Sequence, residues 1–94
     1  MNYKIDYLLR YVSNETYQKI LKKNNYILKL VNDNYIDTDL NIKYLIKYGV
    51  KNIDKIVYDS LEELTINHND YIKKIKDYEK KLTKEEVIIL LENN

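Results

Sequence analysis

The chain has 94 residues, 16 Lys and Arg against 15 Asp and Glu, and no cysteine, which describes one small, nearly neutral domain. Disulfides, thiolate zinc sites, iron–sulfur clusters and thiol catalysis are thereby excluded, and the single histidine, His68, excludes a multi-histidine metal centre. A domain of this size buries only about two-thirds of its unfolded surface, so the apolar 45% of the chain must be well segregated to overcome chain entropy.

Asn2 is placed to cap a first short helix ending near Tyr11, with Ile5, Leu8, Leu9 and Val12 on one face. Ser13 or Asn14 then starts a second, with Glu15 in its first turn and Tyr17, Ile20 and Leu21 at helical spacing, stopping at Asn24-Asn25. Tyr26, Ile27, Leu30 and Val31 fit a short helix better than strict alternation, although the run is brief enough for a strand. A helix begun at Asp37, Thr38 or Asp39 carries Leu40, Ile42, Leu45 and Ile46. It ends at the only glycine, Gly49, with Val50 as the apolar follow-up of a Schellman-type stop. Asn52 caps the cleanest stripe, Ile53, Ile56, Val57, Leu61 and Leu64. Asn67 or Asn69 opens a helix with Ile72, Ile75, Tyr78 and Leu82 inward. Thr83 to Glu86 then forms a capping box for a last helix bearing Val87, Ile88, Leu90 and Leu91. No turn signal supports a β-hairpin. The expected fold is all-α: a compact bundle or short helical-repeat array of five to six short helices, one domain over residues 1–94.

Three stretches share a layout of helix end followed by capped start: Tyr7 to Asn14, Tyr44 to Asn52 and Tyr78 to Thr83. Val12, Val50 and Leu82 within them are 38 and 32 residues apart, a spacing that suits stacked helical pairs. Over residues 44–91, Leu45-x-x-Tyr48-Gly49-Val50, then Ile53-x-x-Ile56-Val57, then Leu61 and a second helix resembles the repeats of mitochondrial transcription termination factors. The resemblance covers about half of the chain and lacks that family's proline, whose place falls around Asp59-Ser60. It implies a curved nucleic-acid-binding solenoid; that function is not carried over to this chain.

The acidic pairs Glu62-Glu63 and Glu85-Glu86 diverge by about 100° on a helix, so neither converges on one atom. The Asp33-to-Asp39 stretch lacks the glycine and terminal glutamate of a calcium loop. His68, between Asn67 and Asn69, reads as a lone surface histidine, and nothing resembles a phosphate-cradling loop. No catalytic set, metal or cofactor is expected. Lys73, Lys76, Lys80 and Lys84 recur at helical spacing as a basic ridge, although Asp70, Asp77, Glu79, Glu85 and Glu86 flatten its field. With Phe and Trp absent, several of the eleven tyrosines must be core. Tyr17, Tyr44, Tyr48 and Tyr78 fall on inward faces, whereas Tyr3, Tyr11, Tyr35, Tyr58 and Tyr71 fall at the periphery as a docking patch.

No apolar run approaches the roughly 18 residues of a membrane span, and the chain opens without the charged-then-apolar order of a signal peptide. Isoleucine, asparagine, lysine and tyrosine number 13, 12, 15 and 11, while alanine and proline are absent, the mark of an AT-rich genome such as that of a low-GC bacterium or its phage. The expectation is a cytoplasmic, non-catalytic factor that binds a protein: a small inhibitor, adaptor or regulator, including the host-defence-inhibitor kind. Its partner-binding residues are expected among Tyr35, Tyr58, Tyr71, Lys73, Lys76, Lys80 and Lys84. The alternative is nucleic-acid binding through the lysine ridge near residues 70–84, and a homodimer is open to a domain this small.

Overall fold

Five side-chain N-caps cut the chain into short helices. The computed structural model describes residues 3–93, so the expected cap at Asn2 lies outside the described residues. A 3₁₀ turn, Asp6–Arg10, comes first. Ser13 then accepts from the Thr16 amide to start α1, Asn14–Ile20, and Asn24 accepts from the Ile27 amide to start α2, Asn25–Asp33. Each side-chain oxygen satisfies an amide that the first helical turn leaves unpaired. After a single residue, Asn34, the chain re-enters a helix as α3, Tyr35–Tyr48. Asn52 caps α4, Ile53–Asp59, and a second 3₁₀ turn, Glu63–Thr65, leads to Asn67, the cap of α5, His68–Glu79. Thr83 and Glu86 form a complete capping box on α6, Lys84–Glu92. Six α-helices and no strand among the described residues make the fold all-α, as the spacing of the apolar residues implied.

Gly49 stops α3 at φ +109°. Its amide donates to the Ile46 and Leu45 carbonyls, and the Val50 amide reaches back to Leu45 at 3.3 Å, the two interlocked bonds of a Schellman stop. A side chain there would meet only Ile88, at 3.6 Å, so the left-handed backbone rather than crowding selects glycine.

The longest helix, α3, is the hub. It packs against α2, α4, α5 and the second 3₁₀ turn, while α1 lies on α4 and the first 3₁₀ turn, and α6 closes against α4 and α5. Ile42, Leu45, Ile56, Val57, Leu61, Leu64, Ile75 and Val87 are fully enclosed between them, with Ile5, Leu8 and Ile20 extending the same core toward the N-terminal end. Polar bonds tie the elements across this core. Asp54 Oδ2 on α4 accepts from the Ser13 amide at 3.0 Å and from the Ser13 and Thr16 hydroxyls, both at 2.8 Å, locking α1 to α4. Glu92 at the end of α6 accepts from the Lys51 and Asn52 amides at the start of α4. Tyr7 donates to the Val31 carbonyl at 2.7 Å and pins the first 3₁₀ turn to α2. The result is an elongated body of 43 × 25 × 20 Å.

Several expected boundaries and faces differ. The first segment is 3₁₀ rather than α; with three residues per turn, Ile5 and Leu8 align inward while Leu9 turns out to solvent. The Ile53-to-Leu64 stripe is buried, but the helix ends at Asp59, and Leu61 and Leu64 are delivered by the turn that follows. Helix α3 begins before Asp37, and Leu40 and Ile46, expected inward, are exposed. Leu21 and Leu90 are exposed as well.

Candidate functional site

Helix α3 mixes polar and apolar residues on both of its faces. Its buried face includes Thr38 and Asn41, both at 0% exposure, alongside Ile42, Leu45 and Tyr48. Its outer face presents Ile36 at 59% and Leu40 at 39% exposure, followed by Lys43, Tyr44 and Lys47, with Tyr35 and Ile46 at the flanks. At 100° per residue, positions 36, 40, 43 and 47 fall in one line along the helix. Two exposed apolar residues opposite a buried face that takes in two polar side chains are the informative departure from the ordinary arrangement, whereas a single exposed leucine is not.

That line is the floor of a groove. Toward its C-terminal half the walls are Tyr11 from the first 3₁₀ segment and His68 at the start of α5, enclosing a recess of about 420 Å³ over Leu40, Lys43, Tyr44 and Lys47. Toward its N-terminal half, Tyr7 and Arg10 face Tyr35, Ile36 and Asp39 around a smaller recess of about 190 Å³, and Leu40 belongs to both. The Tyr7 and Tyr35 rings meet edge to face at 6.3 Å, and Tyr44 meets the His68 ring in the same manner at 6.2 Å.

Two polar clusters fix the walls. Asp39 accepts from the Tyr11 hydroxyl and pairs with Lys43 at 3.1 Å and Arg10 at 3.5 Å. Burial works against the Asp39 charge, but the Tyr11, Lys43 and Arg10 contacts outweigh it and hold the carboxyl below the ordinary aspartate range. The Tyr11 hydroxyl is pushed up to about 12, by burial first and by Asp39 second. On the opposite wall, Asn41 Nδ2 donates to the Leu64 and Ile66 carbonyls, both at 2.9 Å. Its Oδ1 must then face the His68 ring, at 2.8 Å from Nδ1. Because that oxygen only accepts, Nδ1 carries the proton, and in the neutral ring Nε2 is the remaining acceptor. The His68 amide donates to Asp37 Oδ1 at 3.0 Å. His68 is therefore a half-buried, oriented wall residue, not the lone surface histidine expected.

The expected docking patch does not assemble. Tyr35 lies on the groove, and Tyr58 is also exposed but sits on α4 beneath Lys23, whose Nζ is 4.1 Å from its ring centre. Tyr71 is core, at 3% exposure, because α5 turns the same face inward with Ile75 four residues on. The lysine ridge is broken as well: α5 ends at Glu79, so Lys73 and Lys76 share that helix while Lys80 caps its end and pairs with Asp77. Lys84 belongs to α6 and lies over the Tyr48 ring. A continuous helix through residue 84, which the spacing assumed, is what the Lys80–Thr83 turn interrupts.

Ile36, Leu40, Lys43 and Lys47 line the groove without having been expected at a binding site, and His68 was expected only as a surface residue. The signal was present in α3, whose apolar residues occupy more than one face. Other recesses are less suited to recognition: one of about 550 Å³ is walled by Asp59, Glu62 and Glu63, and one of about 520 Å³ beside α6 mixes Lys51 and Lys84 with Glu85 and Glu92. No family model matches the chain, and neither do curated proteins or solved structures. Among the described residues no helix is long and apolar enough to cross a membrane.

Proposed function

We propose that this domain is a non-catalytic, cytoplasmic protein-binding factor, a small inhibitor, adaptor or regulator of the host-defence-inhibitor kind, and that it docks its partner on the α3 groove. The carrying observation is the mixed polarity of α3, which encloses Thr38 and Asn41 while leaving Ile36 and Leu40 exposed. Folding alone gains nothing from that exposure, and a partner that covers the groove recovers the apolar burial. The double substitution Ile36→Asp and Leu40→Asp alters only exposed positions, so thermal stability should stay within roughly 0.5 kcal/mol of the parent. Parent and variant are compared as baits in a low-GC bacterial lysate. A stoichiometric partner retained by the parent and lost by the variant supports the reading. A partner kept by both, or none with either, overturns it. A parent dimer that becomes monomeric in the variant, read by light scattering, assigns the face to a second copy instead.

The alternative, phosphate binding along residues 70–84, rests on Lys73 and Lys76, which are exposed together on α5. It requires retardation of DNA or RNA that weakens steeply with salt and again on Lys73→Glu with Lys76→Glu.

A further inference from the structure

The groove has a sign. Three cationic side chains, Arg10, Lys43 and Lys47, line it against one carboxylate, Asp39. That carboxylate is withdrawn: its side chain is only 15% exposed and is occupied by Tyr11, Arg10 and Lys43. Asp37 and Glu79 stand beside the groove, bonded by the His68 amide and by the Tyr48 hydroxyl at 2.8 Å, and belong to neither recess lining. The side chains lining the two recesses therefore sum to a formal charge of +2 beside Ile36 and Leu40, while the whole chain carries a formal net charge of only +1.

Its shape selects a mode. Helix α3 spans 14 residues, roughly 20 Å at 1.5 Å per residue, which matches about four turns of a helix laid alongside it. No strand exists among the described residues, so an extended segment has no sheet edge to join. Resting on the reading that the groove is a docking surface, we infer that its occupant is an acidic amphipathic helix, with apolar side chains over Ile36 and Leu40 and carboxylates on Lys43, Lys47 and Arg10.

Two synthetic amphipathic peptides test this on the full chain, one with leucines on one face and glutamates on the other, its counterpart with lysines in place of the glutamates. Binding is read by fluorescence anisotropy and by the amide shifts of the chain. The glutamate peptide is expected to move the amides around Leu40 and Tyr44 and to bind about tenfold or more tightly than the lysine peptide, the ratio shrinking as salt rises. Lys43→Glu with Lys47→Glu should invert the preference. Lys47→Glu alone breaks no ion pair among the described residues and should weaken the glutamate peptide even if the double variant disturbs Asp39. Equal binding of both peptides in the groove overturns the acidic preference and leaves the docking face standing. Shifts confined to another surface, or none with either peptide, overturn the inference; the proposed function then falls only if the Ile36 and Leu40 baits also fail to differ.

Discussion

At the scale of single residues, Asn41 does most to join fold and groove. Its side-chain amide spends both donors on the carbonyls of the turn before α5 and its acceptor on His68, so one buried residue closes a loop and orients a wall. Replacing it by leucine keeps the branched shape but strands those carbonyls and the imidazole proton. We expect a loss of roughly 2–4 kcal/mol, seen as a lower urea midpoint at unchanged slope. Nothing local to residue 41 signals this, because an asparagine in mid-helix ordinarily points to water, and only the approach of Leu64 and Ile66 makes this one buried. Tyr71 is the converse case. Its place beside Ile75 was readable from spacing, but the number of tyrosines obscured which of them would be needed to fill the core.

At the scale of elements, starts were far more legible than ends. Ser13, Asn52, Asn67 and Thr83 announce helices through local chemistry that any chain with those residues would share, whereas Asn24, expected only as a stop, is the cap of α2. Without proline, the ends of α1, α4 and α5 are set by which residues the neighbouring helices cover, and so were misjudged. The Asp54 clasp between α1 and α4 shows how elements are then joined. Burial tends to raise the Asp54 carboxyl, but the Ser13 amide, the Ser13 hydroxyl and the Thr16 hydroxyl outweigh it and hold it below the usual range. A carboxyl lowered by folding contributes stability that is present above the unfolded value of about 4 and is lost as pH falls through the folded value. Asp54→Asn should therefore lower the melting temperature at neutral pH and flatten its decline in acid, a difference that thermal melts from pH 7 down to about 2 resolve.

At the scale of the whole molecule, the tyrosines set an alkaline limit. Burial, followed by Glu79, pushes the Tyr48 hydroxyl up to about 12, matching Tyr11, and burial raises Tyr7 and Tyr71 further in the same direction. An acid raised by folding is held neutral in the native state while the unfolded chain ionises near 10. That stability is complete below about pH 10 and is lost as pH rises through the folded values. Melts across this range should show a steep alkaline decline, accompanied by cooperative appearance of tyrosinate absorbance, and Tyr11→Phe should make the decline shallower. Independent titration of all the tyrosines near 10, without loss of helix, contradicts it.

The sequence by itself determined the helical class, four of the five side-chain caps, the glycine stop and the apolar residues that form most of the core, because each depends on interactions within a few residues of chain. Tertiary packing alone decided which face of α3 meets water. Thr38 and Asn41 can be buried only because Asn34, Leu64 and Ile66 offer them hydrogen-bond partners, and with those positions satisfied inward, Ile36 and Leu40 are turned outward. The groove is the consequence of that exchange, and no periodicity within one helix reveals it, since Asn41 finds its partners, Leu64 and Ile66, in another part of the chain.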